Sequence, residues 1–296
     1  MVSNIKLLHD KKLITPPKFL VKNVHYETII GSMAYGVNKD DSDYDVYGIC
    51  IPPKDIVFPH LQGIIPEFDD SYIKFDQWQE HHIIDDSTSR EYDFTVYNVV
   101  KFFKLASKCV PNIVDSLFTP TNCVLHLSRV GNIIREDRKL FLCKKIYHSY
   151  SGYAYQQLSK AKKGSNKSNP KRKKSIETYG YDAKFCYHII RLVNQAEQML
   201  VEGDLDLQAS RKQLMSVRNG EWTFEQIEDY FESIRIKLSN LYQTSNALPE
   251  KIQKTKIKNL LLKVLEENYG SIDQCVKILD KDTTILNQIQ ELLKGR

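Results

Sequence analysis

Apolar and β-branched residues come in short runs over the first third of the chain and take helical spacing afterwards. VHYETII (24–30) is β-branched and aromatic and predicts a strand. YDVYGICI (44–51) predicts a second, stopped by Pro52 and Pro53. A third is expected around Trp78–Ile84, and a fourth over REYDFTVY (90–97), with Asp93 in its middle. Over 98–109 the period changes: Val99, Phe102, Phe103 and Ala106 are apolar, while Lys101, Lys104 and Lys108 are polar. From about residue 110 the pattern predicts helices at 112–118, 127–135, 141–163, 177–202, 223–243 and 250–267, with a last one near 283–294. Gly203 and Gly270 stand where helix C-caps belong, and Thr223 with Gln226 forms a capping-box pattern. GSNKSNPKRKKS (164–175) reads as a mobile loop. No internal repeat is present. The pattern therefore predicts an α+β fold, with a small mixed-sheet domain over 1–110 and a mainly helical domain over 111–296.

Composition narrows the class. The chain has 296 residues, with 42% hydrophobic and 27% charged, as expected of a globular protein. No apolar run is long enough to cross a bilayer, and MVSNIKLLHDKK lacks the apolar stretch of a secretory leader, so no membrane partner is expected. The six cysteines are scattered and form no CxxC, which argues against a thiolate zinc site and a disulfide scaffold. A cytoplasmic location is the expectation. The net charge of +5 hides an asymmetry: residues 1–100 carry 9 Lys/Arg against 16 Asp/Glu, and the remainder is strongly basic. Acidic clusters can hold metal ions and basic surfaces attract phosphate, although either can be a merely solvated face.

The candidate chemistry lies in GSMAYG (31–36) and DDSDYDVYG (40–48). Asp43 and Asp45 are two apart in an expected strand, so both carboxylates point to one face. Side by side they repel, and a cation between them relieves the repulsion. Mg²⁺ suits, because it takes a few carboxylates plus phosphate oxygens. Gly31 permits close approach of a backbone N–H to a phosphate, and the Ser32 hydroxyl adds a donor. A two-metal site needs a further carboxylate. Asp93, mid-strand among apolar and aromatic neighbours, is the best placed, with Glu91 on the same face as the fallback.

This constellation resembles the nucleotidyltransferase superfamily typified by DNA polymerase β, in which a Gly-Ser turn precedes Asp-x-Asp by about ten residues and a third Asp follows on a later strand. Here ten residues separate Ser32 from Asp43. The wording GSMAYG…SDYDVYG is similar to one branch, found beside RNA-repair ligases and in large phages. DFTVYNVVKFFKLA (93–106), PNIVDSLF (111–118), GYAYQQLSK (152–160) and KFCYHIIRLVNQAEQML (184–200) continue the likeness, which covers about residues 24–203. The branch usually has Glu where this chain has Asp115, a residue to which the sequence attaches no role. The resemblance implies a polymerase-β palm-like catalytic domain. Asp43, Asp45 and Asp93 would hold two Mg²⁺ ions, with Mn²⁺ as a substitute, and Gly31 and Ser32 would hold the triphosphate of an NTP. An acceptor hydroxyl would attack the α-phosphate in line and release pyrophosphate.

Several cationic positions could assist. Lys184, His188 and Arg191 share one face of an expected helix and could meet phosphate, or simply be solvated. Tyr153 and Lys160 lie on an earlier helix, where Lys160 could reach a phosphate and Tyr153 reads as core. Lys160–Lys174 carries eight Lys/Arg and no acid, and Lys162, Lys163, Lys171, Arg172, Lys173 and Lys174 are candidate nucleic-acid contacts. His81 and His82 read as surface residues, because strand neighbours face opposite ways. Three functions stay open: nucleotidyl transfer to an RNA end such as a tRNA 3′ end, transfer to a small molecule or protein, and a non-catalytic nucleotide- or RNA-binding module.

Overall fold

The computed structural model describes residues 2–38, 42–65, 74–163 and 170–270. β1 (Val24–Ile29) runs antiparallel to β2 (Tyr44–Cys50), with Ile29 opposite Val46. β3 (Gln77–Asp85) and β4 (Arg90–Asn98) form an antiparallel pair, and β4 lies parallel to β2. β5 (Val124–Leu127) adds antiparallel to the far side of β1, so the sheet order is β3-β4-β2-β1-β5. Val46, Phe94 and Val96 are fully buried beneath it. The sheet and the helices share one continuous apolar core.

α1 (Asn4–Asp10) precedes the sheet. β4 runs directly into α2 (Val99–Ala106), whose first turn is capped by the Asn98 side chain accepting from the Val100 N–H at 2.9 Å. Its 3.6-residue period buries Phe102, Phe103 and Ala106 as the sequence predicts. α3 (Pro111–Leu117) and α4 (Arg129–Glu136) flank β5. Beyond them lie α5 (Ile146–Lys163), α6 (Pro170–Tyr179), α7 (Ala183–Glu202), α8 (Arg211–Arg218), α9 (Phe224–Thr244) and α10 (Lys254–Tyr269). α5, α8 and α9 pack around α7, which is the central helix of this part. Gly203 ends α7 in the left-handed conformation (φ 65°), as its position predicts. The capping box also forms: Gln226 N–H donates to Thr223 Oγ1 at 3.1 Å, and Thr223 N–H donates to Gln226 Oε1 at 2.8 Å.

Four expectations change. The helix expected over 177–202 is split, because Gly180 adopts φ 79° and Asp182 caps a new helix by accepting from Lys184 and Phe185 N–H. The basic stretch read as a loop is helical from Pro170 onward, where it forms α6. The sheet takes its fifth strand from 124–127, so it extends past the boundary expected at 110; its sequence VLHL lacks the strict alternation that announces a strand. Asp43 stands just before β2 rather than within it. The helices at 4–10 and 211–218 were not anticipated, and the helix expected near 283–294 lies outside the described residues. No helix among the described residues is long and apolar enough to cross a membrane.

Candidate active site

The parallel pairing of β2 with β4 sets Asp45 directly opposite Asp93. Both line a cleft of about 840 Å³ between the ends of the sheet strands and the helices, together with Gly31, Ser32 and Asp43. Gly31 follows β1 at φ 72°, and a Cβ there would lie 2.6 Å from Asp45 Oδ2. Only glycine therefore lets the turn close over that carboxylate. The turn is pinned from below by Ile30 N–H donating to the Asp45 carbonyl at 2.7 Å, and internally by Val37 N–H donating to the Ser32 carbonyl at 2.9 Å.

Burial pushes the Asp45 carboxyl up to about 6; Lys184 opposes that rise, while Asp93 and Asp43 add to it. A cation bound here would relieve the repulsion and favour the ionised form. Among the described residues no group of three or more His, Cys, Asp or Glu side chains is placed so as to hold a metal ion. Asp93 is oriented by His82 N–H, which donates to its Oδ1 at 2.8 Å. Glu91 is instead engaged by His82 Nδ1 at 2.7 Å and is not part of the cleft wall.

The cationic candidates divide. Lys184, Arg172 and Lys174 line the cleft, and Arg172 is also paired with Asp182 at 3.1 Å and stacked over Phe185. His188 lines it too, but burial and the surrounding Arg191, Lys184, Arg172 and Arg218 hold its imidazole well below its ordinary range. That shift favours the neutral imidazole, which corrects its reading as part of a cationic face. Arg191 is corrected more fully. It is 2% exposed, lies outside the cleft wall and pairs with Asp115, itself fully buried. Lys160 is not in the cleft wall. Lys162 pairs with Glu228 at 2.5 Å and Lys173 with Glu177 at 3.9 Å, and neither lysine lines the cleft. The Lys163 and Lys171 side chains lie outside the described residues. Tyr153, read as core, is half-buried and also lines the cleft.

Sequence reasoning missed the anchoring of the turn. Arg191 donates to Tyr35 Oη at 2.6 Å and stacks over its ring, while Tyr35 and Tyr150 donate to Asp115 at 2.8 and 3.2 Å. Thus α3, α5 and α7 jointly grip Tyr35 of the 31–36 turn. Two further side chains hold its carbonyls, Gln208 on Ala34 at 3.3 Å and Arg211 on Gly36 at 2.8 Å, and Arg218 holds that of the next residue, Val37. One signal was visible in the sequence: an acid inside the apolar run of PNIVDSLF, which demands a buried partner. His81 was also missed as a member of the cleft wall.

A family model described as RlaP, the RNA repair pathway DNA polymerase beta family, matches residues 10–263. The chain belongs to that family. The match spans both the sheet with its carboxylates and the helices that anchor the turn, so the RNA repair pathway DNA polymerase beta family includes both parts of the cleft. A phage relative, the "Uncharacterized 38.9 kDa protein in nrdC-mobD intergenic region" of Enterobacteria phage T4, is 28% identical over 137 residues. That alignment covers 45% of this chain and 37% of the phage protein. The crystal structure of a nucleotidyltransferase-like protein from Exiguobacterium sibiricum aligns over 88% of this chain and 78% of its own, at 9% identity and a TM-score of 0.28, too low to bear on the fold.

Proposed function

We propose that this protein is a Mg²⁺-dependent nucleotidyltransferase that moves an NMP from an NTP to a hydroxyl acceptor, an RNA 3′ end such as that of a tRNA. The observation that carries this reading is the in-register pair Asp45 and Asp93 beneath a glycine turn, facing a wall with Lys184, Arg172 and Lys174. Asp43, Asp45 and Asp93 would hold the metal. Two bound ions, Mg²⁺ or Mn²⁺, would acidify the attacking hydroxyl and offset charge on the leaving oxygens. Gly31 and Ser32 cradle the triphosphate, and Lys184 faces it from the first turn of α7. The acceptor oxygen bonds to the α-phosphorus as the bond to the bridging α–β oxygen breaks. Pyrophosphate leaves, and the hydroxyl proton passes to Asp93 or to water. Arg172 and Lys174, together with family membership, support an RNA acceptor.

The test is incubation with Mg²⁺, each α-³²P-labelled NTP in turn and total RNA, read on RNA and protein gels. Asp43→Ala/Asp45→Ala serves as the control. Label entering RNA only with the intact protein is the expected result. Label on protein instead would redirect the reading to a protein acceptor. NTP binding with neither label nor pyrophosphate release would overturn transfer altogether.

A further inference from the structure

Beside the three carboxylates lies a feature to which the proposed chemistry gives no part. β3 pairs with β4 through Glu80 opposite Phe94 and Ile83 opposite Tyr92, so His81 and His82 together face the single residue Asp93. This is a β-bulge, a device that re-aims side chains near functional sites. It returns Ile83, 5% exposed, to the core face. His82 carries the strain, at φ 57°, and spends its N–H on Asp93 and its ring on Glu91. His81 stays on the cleft side, with Nδ1 3.5 Å from Asp93 Oδ1 and half its side chain exposed.

Sheet order gives this position a meaning. Across the strand ends the cleft groups run from the Gly31 turn after β1 to Asp45 on β2, Asp93 on β4 and His81 on β3. In-line displacement puts the attacking oxygen opposite the leaving pyrophosphate. With the triphosphate over the Gly31 turn, the acceptor enters over β4 and β3. We infer that His81 is the acceptor-reading residue. Its imidazole engages the second hydroxyl of a vicinal diol while Asp93 faces the attacking one. The 3.5 Å between the two side-chain atoms suits two oxygens about one hydrogen-bond length apart, as on the 3′-terminal ribose of RNA. This inference rests on the proposed nucleotidyl transfer for its direction of attack.

The test uses the full-length protein with a short RNA ending in a 2′,3′-diol, the same RNA ending in a 2′-deoxyribose, and free adenosine. Acceptor kcat/KM at saturating NTP is measured for the intact protein, His81→Ala and His81→Gln, with the KM for NTP determined alongside. The intact protein should favour the diol end by about tenfold, the worth of one hydrogen bond. His81→Ala should bring that ratio near one with the KM for NTP unchanged, and His81→Gln should restore part of it. Adenosine used as well as RNA would still support diol reading and would name a small molecule as its source. An unchanged ratio in His81→Ala, or an NTP KM that shifts in parallel, overturns it. A second readout needs no turnover: RNA carrying 4-thiouridine at its 3′ end is photo-crosslinked with a non-hydrolysable NTP present. Crosslinks within 77–85 support the acceptor side even if transfer itself fails. Crosslinks confined to 172–184 overturn it even if transfer succeeds.

Discussion

Replacing Asp115 with Asn tests whether the buried pair organises the 31–36 turn. Asp115 is fully buried and Arg191 is 2% exposed, so the substitution leaves a guanidinium charge inside the protein with no counter-charge. Breaking a buried pair from one side costs about 3–5 kcal/mol. Asn keeps an acceptor for Tyr35 or Tyr150, which places the expected loss near the low end, about 3 kcal/mol. For a chain of this size that corresponds to a fall in Tm of roughly 5 °C. Removing the stranded charge as well, in Asp115→Asn/Arg191→Met, should recover most of the loss, because the Asn amide can still serve both tyrosine hydroxyls. Urea and thermal melts of the parent, both single variants and the double variant give a coupling energy expected at about 2 kcal/mol. Nucleotidyl transfer should stay low in the double variant, since Tyr35 has lost the guanidinium that donates to its hydroxyl and stacks on its ring. A loss under about 1 kcal/mol for Asp115→Asn, or full activity in the double variant, would refute the reasoning.

Three further outcomes follow from the same geometry. Gly31→Ala puts a Cβ 2.6 Å from Asp45 Oδ2 at φ 72°, so transfer should fall at least about 100-fold, with a stability loss of about 1–2 kcal/mol measured by thermal melts. Burial raises the Glu27 carboxyl to about 7 despite hydrogen bonds from Asn4 and Ile5 N–H. The native state thus holds a proton that the unfolded chain releases above about 4.5. Stability should fall as pH rises from about 4.5 to about 7, by at most about 3 kcal/mol, and Glu27→Gln should flatten that slope in pH-dependent urea melts. Lys174→Ala should weaken RNA binding and reduce the slope of log K against log salt by about 1, measured by fluorescence titration.

The placement of the carboxylates at one end of the sheet was largely legible in the chain because its information is local. Strand alternation, the Gly31-Ser32 turn and the Asp43-x-Asp45 pair all act within a few residues of one another. Asp93 was legible because an acid inside a β-branched, aromatic strand has few structural reasons to be there. The capping box at Thr223 and the cap at Gly203 were read for the same reason: backbone satisfaction at a helix end depends on neighbouring residues. The helical wall was less legible. Lys184, His188 and Arg191 share a face by spacing, yet one lines the cleft, one is a buried imidazole pushed towards its neutral form and one is a core ion pair.

Spacing along a helix ranks residues by angle and says nothing about what lies opposite each of them. Arg191 meets Asp115 across 76 positions and Tyr35 across 156, and burial turns those meetings into strong interactions that no local pattern encodes. The bulge at His81–His82 likewise arises because Ile83 must reach the core while Gln79 and His81 stay on the cleft face, a conflict that exists only once β4 is alongside. The elements and the spacing of the carboxylates are thus properties of short sequence. The grip on the turn, the sheet's fifth strand and the placement of each cation belong to the folded chain, since each depends on a partner that only long-range packing supplies.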